Sequence, residues 1–175
     1  MLAKLQKEFD SLNNLLERVL NFASNLSDRK LHQSPQGAWS AAQIIYHLKE
    51  SEKGTLAYLT KKIQTPASEV TKGGINARIR SFMLSRALRN YKKKFRAPSV
   101  LSEMPEQPDF KKVRSEYLEI RRDMGLLLGQ FDKEMLGRTY FKHPVAGRIT
   151  ILQTLEFLKD HLERHEEQII ERSGF

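Results

Sequence analysis

The chain contains no cysteine among its 175 residues. This absence excludes disulfide bonds, cysteine zinc fingers, iron–sulfur ligation and a catalytic thiol. Any metal bound by the protein must therefore be held by histidine, aspartate or glutamate side chains. The length predicts a single domain over residues 1–175, large enough to bury a core without a disulfide or a structural metal.

The sequence also lacks a long apolar run and a targeting pattern. No apolar stretch approaches the roughly 18 residues that a transmembrane helix needs. The first residues, MLAKLQKEFDSL, have charges spread through them and contain no cleavage site made of small residues. We therefore expect a cytoplasmic protein without a transmembrane segment.

Acidic residues are missing from one stretch, residues 70–102. This stretch accounts for the whole formal net charge of +9, because the rest of the chain carries 21 basic and 21 acidic residues. Its nine cations are Lys72, Arg78, Arg80, Arg86, Arg89, Lys92, Lys93, Lys94 and Arg96. Such a segment fits phosphate contacts with nucleic acid, an anionic membrane or another acidic surface, or a solvated helix face. The sequence leaves these interpretations open.

Apolar residues recur at helical spacing in four long segments. The predicted helices cover residues 2–26, 40–62, 109–132 and 150–171. Ser40 and Thr150 are each followed by a glutamine three residues later, which is the capping-box pattern of a helix start. Asp109 follows a proline and is the candidate cap of the third long helix.

These segments predict an all-α fold, a four-helix bundle with an extra short basic helix or loop between the second and third main helices. The connection between those two helices contains Pro98, Pro105 and Pro108 and is long enough for a crossover. The connection before the last helix is rich in turn residues, and no segment is predicted to be a core strand.

Two histidines lie four residues apart in the last predicted helix, in the sequence HLERH. Positions four apart differ by only about 40° around a helix, so His161 and His165 can face one ion. HLERH resembles the zincin motif HExxH, but Leu162 stands where that motif has its catalytic glutamate. Glu163 lies about 200° around the helix from His161, so a zincin mechanism is excluded.

A third candidate ligand, His47, lies among apolar positions of the second long helix. Metal sites in bundles are built from side chains on facing helices, so His47 joins His161 and His165 in a predicted three-imidazole site with open coordination positions. The same residues also fit a solvated surface pair and a hydrogen-bonded core histidine. Spacing alone does not decide between these interpretations.

Two segments resemble motifs of a known family. GAWSAAQIIYHL, residues 37–48, resembles the second-helix motif of DinB-like proteins, and HPVAGRITILQTLEFLKDHLERHEEQI, residues 143–169, resembles their last-helix motif. The resemblance implies a DinB/YfiT-type bundle, often a homodimer, with a divalent metal (Zn, Ni, Fe or Mn) on His47, His161 and His165. It also implies either a thiol-dependent S-transferase that uses a low-molecular-weight thiol or a hydrolase, acting on a small molecule.

Four further residues are candidates for the surroundings of this site: Trp39, Glu50, His143 and Glu166. Trp39 lines the pocket or packs under the end of the bundle, and His143 either contacts one of the metal-ligating histidines or is a turn residue. Each glutamate is a partner of a ligand histidine or a surface charge, so no catalytic residue is assigned. The alternative to an enzyme is a non-catalytic bundle that binds a small ligand, or nucleic acid or an acidic surface through residues 72–96. A metal-free bundle that binds a small ligand or only its own copy is a further possibility.

Overall fold

The computed structural model describes residues 1–34, 37–75, 79–80, 83, 85–86 and 104–174. The α-helices whose bounds lie within the described residues are α1 (Ala3–Ser24), α2 (Asp28–His32), α3 (Ala41–Lys62), α4 (Phe110–Leu128) and α5 (Ile151–Arg172). Two short 3-10 helices, Ala67–Glu69 and Met135–Gly137, lie in the connections. The all-α prediction is confirmed, because the four long helices lie where the apolar spacing predicted them.

Side-chain caps fix the starts of the helices that carry the candidate ligands. The Ser40 hydroxyl accepts a hydrogen bond from the Gln43 backbone N–H, and the Gln43 side chain accepts one from the Ser40 N–H. Thr150 and Gln153 form the same reciprocal pair at the start of α5, and Asp109 caps α4. Each capping box satisfies N–H groups that a helix start otherwise leaves without partners.

The long helices pack so that α3 lies between α4 and α5, with α1 against α5 and α4. Lys49 contacts Glu116, and Glu52 contacts Arg121. Residue numbers increase together along α3 and α4 in these pairs, so the two helices run parallel. Parallel neighbours need a crossover connection between the end of one helix and the start of the next.

A buried ion pair joins three of the helices. Arg121 donates two hydrogen bonds to the Glu52 carboxylate, at 2.6 and 2.7 Å, and one to the Asn13 side chain at 3.2 Å. The side chains of Arg121 and Glu52 are only 6% and 3% exposed. Burial of the Tyr117 hydroxyl beside this pair raises its pKa well above the usual value.

The core is apolar and follows the stripes predicted from the sequence. Its most deeply buried side chains include Leu5, Leu12, Leu16, Leu20, Ile45, Leu59, Met124, Leu128 and Ile151. In the described part of the chain, no helix is long and apolar enough to cross a membrane.

A small β-hairpin precedes α5, where we predicted only a turn-rich connection. Strands β1 (Phe141–His143) and β2 (Gly147–Ile149) pair antiparallel, with Phe141 opposite Ile149. Gly147 has φ +71, a left-handed conformation that favours glycine. Three residues are too few to show the alternation that predicts a strand. The hairpin ends at Ile149, next to the Thr150 cap, and therefore leads directly into α5.

Candidate metal centre

Three histidines from two helices meet inside the bundle. His47 lies on α3, two turns after its N-cap, and His161 and His165 lie on consecutive turns of α5. His47 and His165 are only 7% and 8% exposed, whereas His161 is half-buried. The structure thus brings together the three histidines that the sequence singled out.

The ring nitrogens of these histidines converge. Nε2 of His161 lies 3.3 Å from Nε2 of His47 and 3.1 Å from Nε2 of His165. One nitrogen from each ring can be chosen so that all three atoms lie within 4.8 Å of one another. The ring planes cross at 69° to 85°. The imidazoles therefore meet at their edges, where the lone pairs lie.

Burial keeps the three imidazoles neutral. It lowers the pKa of His47 to about 4, and burial with the charge of His47 lowers the pKa of His165 to about 3. Burial, followed by the charges of His165 and His47, lowers the pKa of His161 well below its usual value. At neutral pH each ring therefore has one N–H group and one nitrogen with a free lone pair.

Hydrogen bonds within the cluster cannot satisfy both short contacts at once. Nδ1 of His165 donates to Oε1 of Gln168, so Nε2 of this neutral ring carries a lone pair. If Nε2 of His161 carries its proton and donates it to His165, it has no lone pair to offer His47. If it carries a lone pair instead, two lone pairs face each other at 3.1 Å. A cation between the rings satisfies all three nitrogens.

The spacing of the nitrogens also fits a metal ion. A tetrahedral zinc ion with Zn–N distances of about 2.0–2.1 Å separates its ligand nitrogens by about 3.3 Å. The two short separations in the cluster are 3.1 and 3.3 Å. Three neutral imidazoles suit Zn, Cu, Fe and Ni among the biological metals. The residues present therefore fit a divalent metal.

Comparison with known proteins identifies the family of the chain. The model of the DinB superfamily matches residues 11–169. The chain belongs to the DinB superfamily. The uncharacterized protein YuaE of Bacillus subtilis (strain 168) is 26% identical to it over 153 residues, which cover 86% of this chain and 88% of the relative. No solved structure gives a significant match. The predicted DinB-like membership is confirmed.

Aromatic rings lie against two histidines of this cluster. The Trp39 ring lies 5.1 Å from the ring of His47, centroid to centroid, and is half-buried. The Phe157 ring stacks on His161 at 5.6 Å with an interplanar angle of 13°. Both rings cover part of the cluster, and His161 is less buried as a residue than His47 and His165.

His143 shapes the hairpin turn next to the cluster. Its Nδ1 accepts hydrogen bonds from the backbone N–H groups of Val145 and Ala146, at 3.1 and 3.0 Å. The proton of this ring is therefore on Nε2. Burial lowers the pKa of His143 to about 4. The ring lies 4.4 Å from the ring of Phe157, which in turn stacks on His161.

The two candidate glutamates are engaged by cations. Glu50 forms an ion pair with Lys49, and Glu166 accepts two hydrogen bonds from Arg18, at 2.7 and 2.8 Å. Glu166 thereby links α5 to α1. Among the described residues, neither carboxylate accepts a hydrogen bond from His47, His161 or His165. These contacts therefore do not support a role for Glu50 or Glu166 in orienting the histidines.

Most of the basic segment lies outside the described residues: Arg78, Arg89, Lys92, Lys93, Lys94 and Arg96. Among the described cations, Arg86 is exposed. The Arg80 side chain donates from Nε to the backbone oxygen of Ala146 at 2.9 Å, which attaches this residue to the hairpin turn.

Two residues of the site were missed by the sequence analysis, Phe157 and Gln168. Phe157 is four residues before His161, and Gln168 is three residues after His165. Helical neighbours at these spacings share a face, and this signal was available in the sequence. Stacking and hydrogen bonding depend in addition on the rotamers of the side chains, which spacing does not specify.

Proposed function

We propose that the protein is a divalent-metal-dependent enzyme whose metal is held by His47, His161 and His165. The observation that carries this proposal is the convergence of three neutral imidazole nitrogens within 4.8 Å. These rings need lose no proton to accept a metal at neutral pH. The bound ion supplies a Lewis acid with positions left open for small ligands, which is typical of catalytic rather than structural sites.

We propose transfer of a low-molecular-weight thiol to a small electrophile as the reaction, with hydrolysis as the second candidate. Glu50 and Glu166, the two glutamates that the sequence singled out, are held by Lys49 and Arg18. Neither supports the general-base role that activation of water favours. A thiol has an intrinsic pKa near 8.5, against about 15.7 for water, and so needs less help to lose its proton.

The residues around the cluster would orient the reactants and exclude water. The rings of Trp39 and Phe157 cover parts of His47 and His161, which lowers the local dielectric and strengthens electrostatic interactions inside. A small-molecule substrate would enter beside the half-buried His161. His143 cannot act as a base at Nδ1, because two backbone N–H groups occupy that nitrogen.

The test begins with metal analysis of protein purified without chelator. We expect a stoichiometric divalent metal in the unaltered protein and in His32→Ala, whose ring lies on α2 and is not part of the cluster. We expect its loss in His47→Ala, His161→Ala and His165→Ala. Full metal retention by any of these three variants would remove that residue from the site.

The reaction is then tested by incubating the metal-loaded protein with pairs of thiols and electrophiles. Mass spectrometry of the products separates an S-conjugate from a hydrolysed product. A thiol-independent hydrolysed product would favour the second candidate. Sedimentation equilibrium in the same preparations tests the homodimer that the family resemblance implies.

A further inference from the structure

Gln168 holds the side of His165 that faces away from the cluster. Its Oε1 atom lies 2.7 Å from Nδ1 of His165, while Nε2 of the same ring faces His161 at 3.1 Å. An amide oxygen only accepts hydrogen bonds, so Nδ1 must donate and must carry the ring proton. Because the ring is neutral, its lone pair is then on Nε2, the atom that faces the other histidines.

We propose that Gln168 is a positioning residue that fixes His165 in the tautomer presenting the Nε2 lone pair to the metal. This inference rests on the proposed function. Histidine ligands commonly donate their second N–H to an outer acceptor, which sets both the tautomer and the ring orientation. Gln168 follows His165 by three residues on α5, a spacing that lets the two side chains meet on one helix face.

The three ligand rings are held unequally. Nδ1 of His47 is buried and has no hydrogen-bond partner among the described residues. The orientation of His47 therefore depends on packing against rings such as Trp39. The orientation of His165 is fixed in addition by a short hydrogen bond. Loss of the Gln168 amide would remove this hydrogen bond and leave His165 held by packing, as His47 is.

The acceptor for His165 is a neutral amide and not a carboxylate. This difference affects how basic the His165 imidazole is as a metal ligand. A carboxylate in this place would make a charge-assisted hydrogen bond, roughly twice as strong as a neutral one, and would make the imidazole a more basic ligand. The amide orients the ring without adding negative charge beside the ion. Loss of the acceptor at position 168 should therefore lower metal affinity, and a carboxylate at this position should raise it.

The first experiment measures the tautomer in metal-free protein by ¹⁵N NMR of the histidine rings. We expect the proton of His165 on Nδ1 in the unaltered protein and a shift toward the Nε2–H form in Gln168→Met, which keeps the length of the side chain but removes the acceptor. Glu167→Met, at the neighbouring exposed position, is the matched control and should leave the tautomer unchanged.

The second experiment measures zinc affinity by competition with a chromophoric chelator. Gln168→Met should weaken binding by about 10- to 100-fold, the usual effect of losing an outer partner of a ligand histidine. Gln168→Glu should strengthen binding, and Glu167→Met should leave it unchanged. Circular dichroism confirms that each variant is folded before its affinity is compared.

These readouts separate failure of this inference from failure of the proposed function. An Nε2–H tautomer of His165 in the unaltered protein would overturn the role of Gln168, as would unchanged zinc affinity in Gln168→Met while the unaltered protein binds zinc. Absence of both zinc binding and a stoichiometric divalent metal in the unaltered protein would overturn the proposed function and, with it, the metal role given to Gln168.

Discussion

The Nε2 atoms of His47 and His161 lie 3.3 Å apart, although 114 positions separate the two residues in the chain. Their approach depends on the packing of α3 against α5. It also depends on the capping boxes of Ser40 and Thr150, which fix where each helix begins. The cluster therefore exists only in the folded bundle, so binding of the proposed metal would be linked to folding.

This linkage predicts that zinc raises the melting temperature of the unaltered protein. A ligand that binds only the folded state at about 100 times its Kd stabilises that state by about 2.7 kcal/mol. We expect the shift to disappear in His161→Ala and to persist in His32→Ala. Differential scanning calorimetry with and without zinc measures both. A shift of equal size in His161→Ala would show that zinc stabilises the protein from another site.

The pKa values of His32 and of the cluster histidines should be shifted in opposite directions from the ordinary value of about 6.5. The carbonyl of Pro108 and the backbone and side chain of Asp28 accept from the His32 ring and raise its pKa. Burial lowers the pKa values of His47 and His165 to about 4 and about 3. NMR titration of the metal-free protein should therefore show His32 above 6.5 and the cluster histidines below it.

These shifts act on stability with opposite signs. The contribution of His32 is fully present below the unfolded-state pKa of about 6.5 and is lost as the pH rises through its higher folded-state pKa. The lowered pKa values of His47 and His165 favour the folded state above about pH 6.5, and this contribution is lost as the pH falls toward 4 and 3. His32→Gln should therefore destabilise the protein more at pH 6 than at pH 8, measured by urea unfolding. An equal loss at both pH values would contradict the assigned shift.

The fold was predictable because apolar spacing persists over helices of 19 to 22 residues. Two short elements were not predictable. Helix α2 has five residues, with Leu31 its buried residue, and the strands of the hairpin have three residues each. A five-residue helix has fewer than two turns, and a three-residue strand has too few residues to show alternation of apolar and polar side chains. Tertiary packing therefore determines the conformation of these segments.

The candidate site was predictable for a similar reason, but only in part. His161 and His165 share a helix face by spacing, and His47 is marked by its apolar neighbours. The partners of Glu50 and Glu166 were not predictable, because they depend on which cation lies beside each carboxylate in the folded bundle. Gln168 and Phe157 were identifiable in principle, because they lie three and four residues from a ligand on the same helix. The search for metal ligands considered only the spacing between histidines and did not use this information.

Removal of one partner of the buried ion pair of Glu52 and Arg121 should reduce stability more than replacement of both partners by apolar residues. Arg121→Met leaves the Glu52 carboxylate buried without its partner, which should reduce the free energy of unfolding by about 3–5 kcal/mol. Glu52→Leu should have a similar effect on Arg121. The double variant removes both charges and should be more stable than either single variant. Urea unfolding of the four proteins gives the coupling energy, and additive losses would refute the strong pairing.

Two helical glycines make a matched pair for a packing prediction. A Cβ atom at Gly125 of α4 would lie 3.1 and 3.2 Å from ring atoms of Phe9 on α1, whereas one at Gly54 of α3 would meet nothing within 4 Å. Alanine is favoured over glycine in a helix interior by about 0.8–1.0 kcal/mol. Gly54→Ala should therefore stabilise the protein by about that amount.

Gly125→Ala gains the same helix propensity but pushes against the Phe9 ring, which is 7% exposed and held within the core. Overpacking of this kind typically costs about 1–3 kcal/mol, so the net effect should be a loss of stability. Chemical unfolding of the two alanine variants measures the difference. Phe9→Leu in the Gly125→Ala background is the decisive control, because a smaller side chain relieves the clash. If Gly125→Ala stabilised the protein as much as Gly54→Ala, the close approach of α1 and α4 at this point would be wrong.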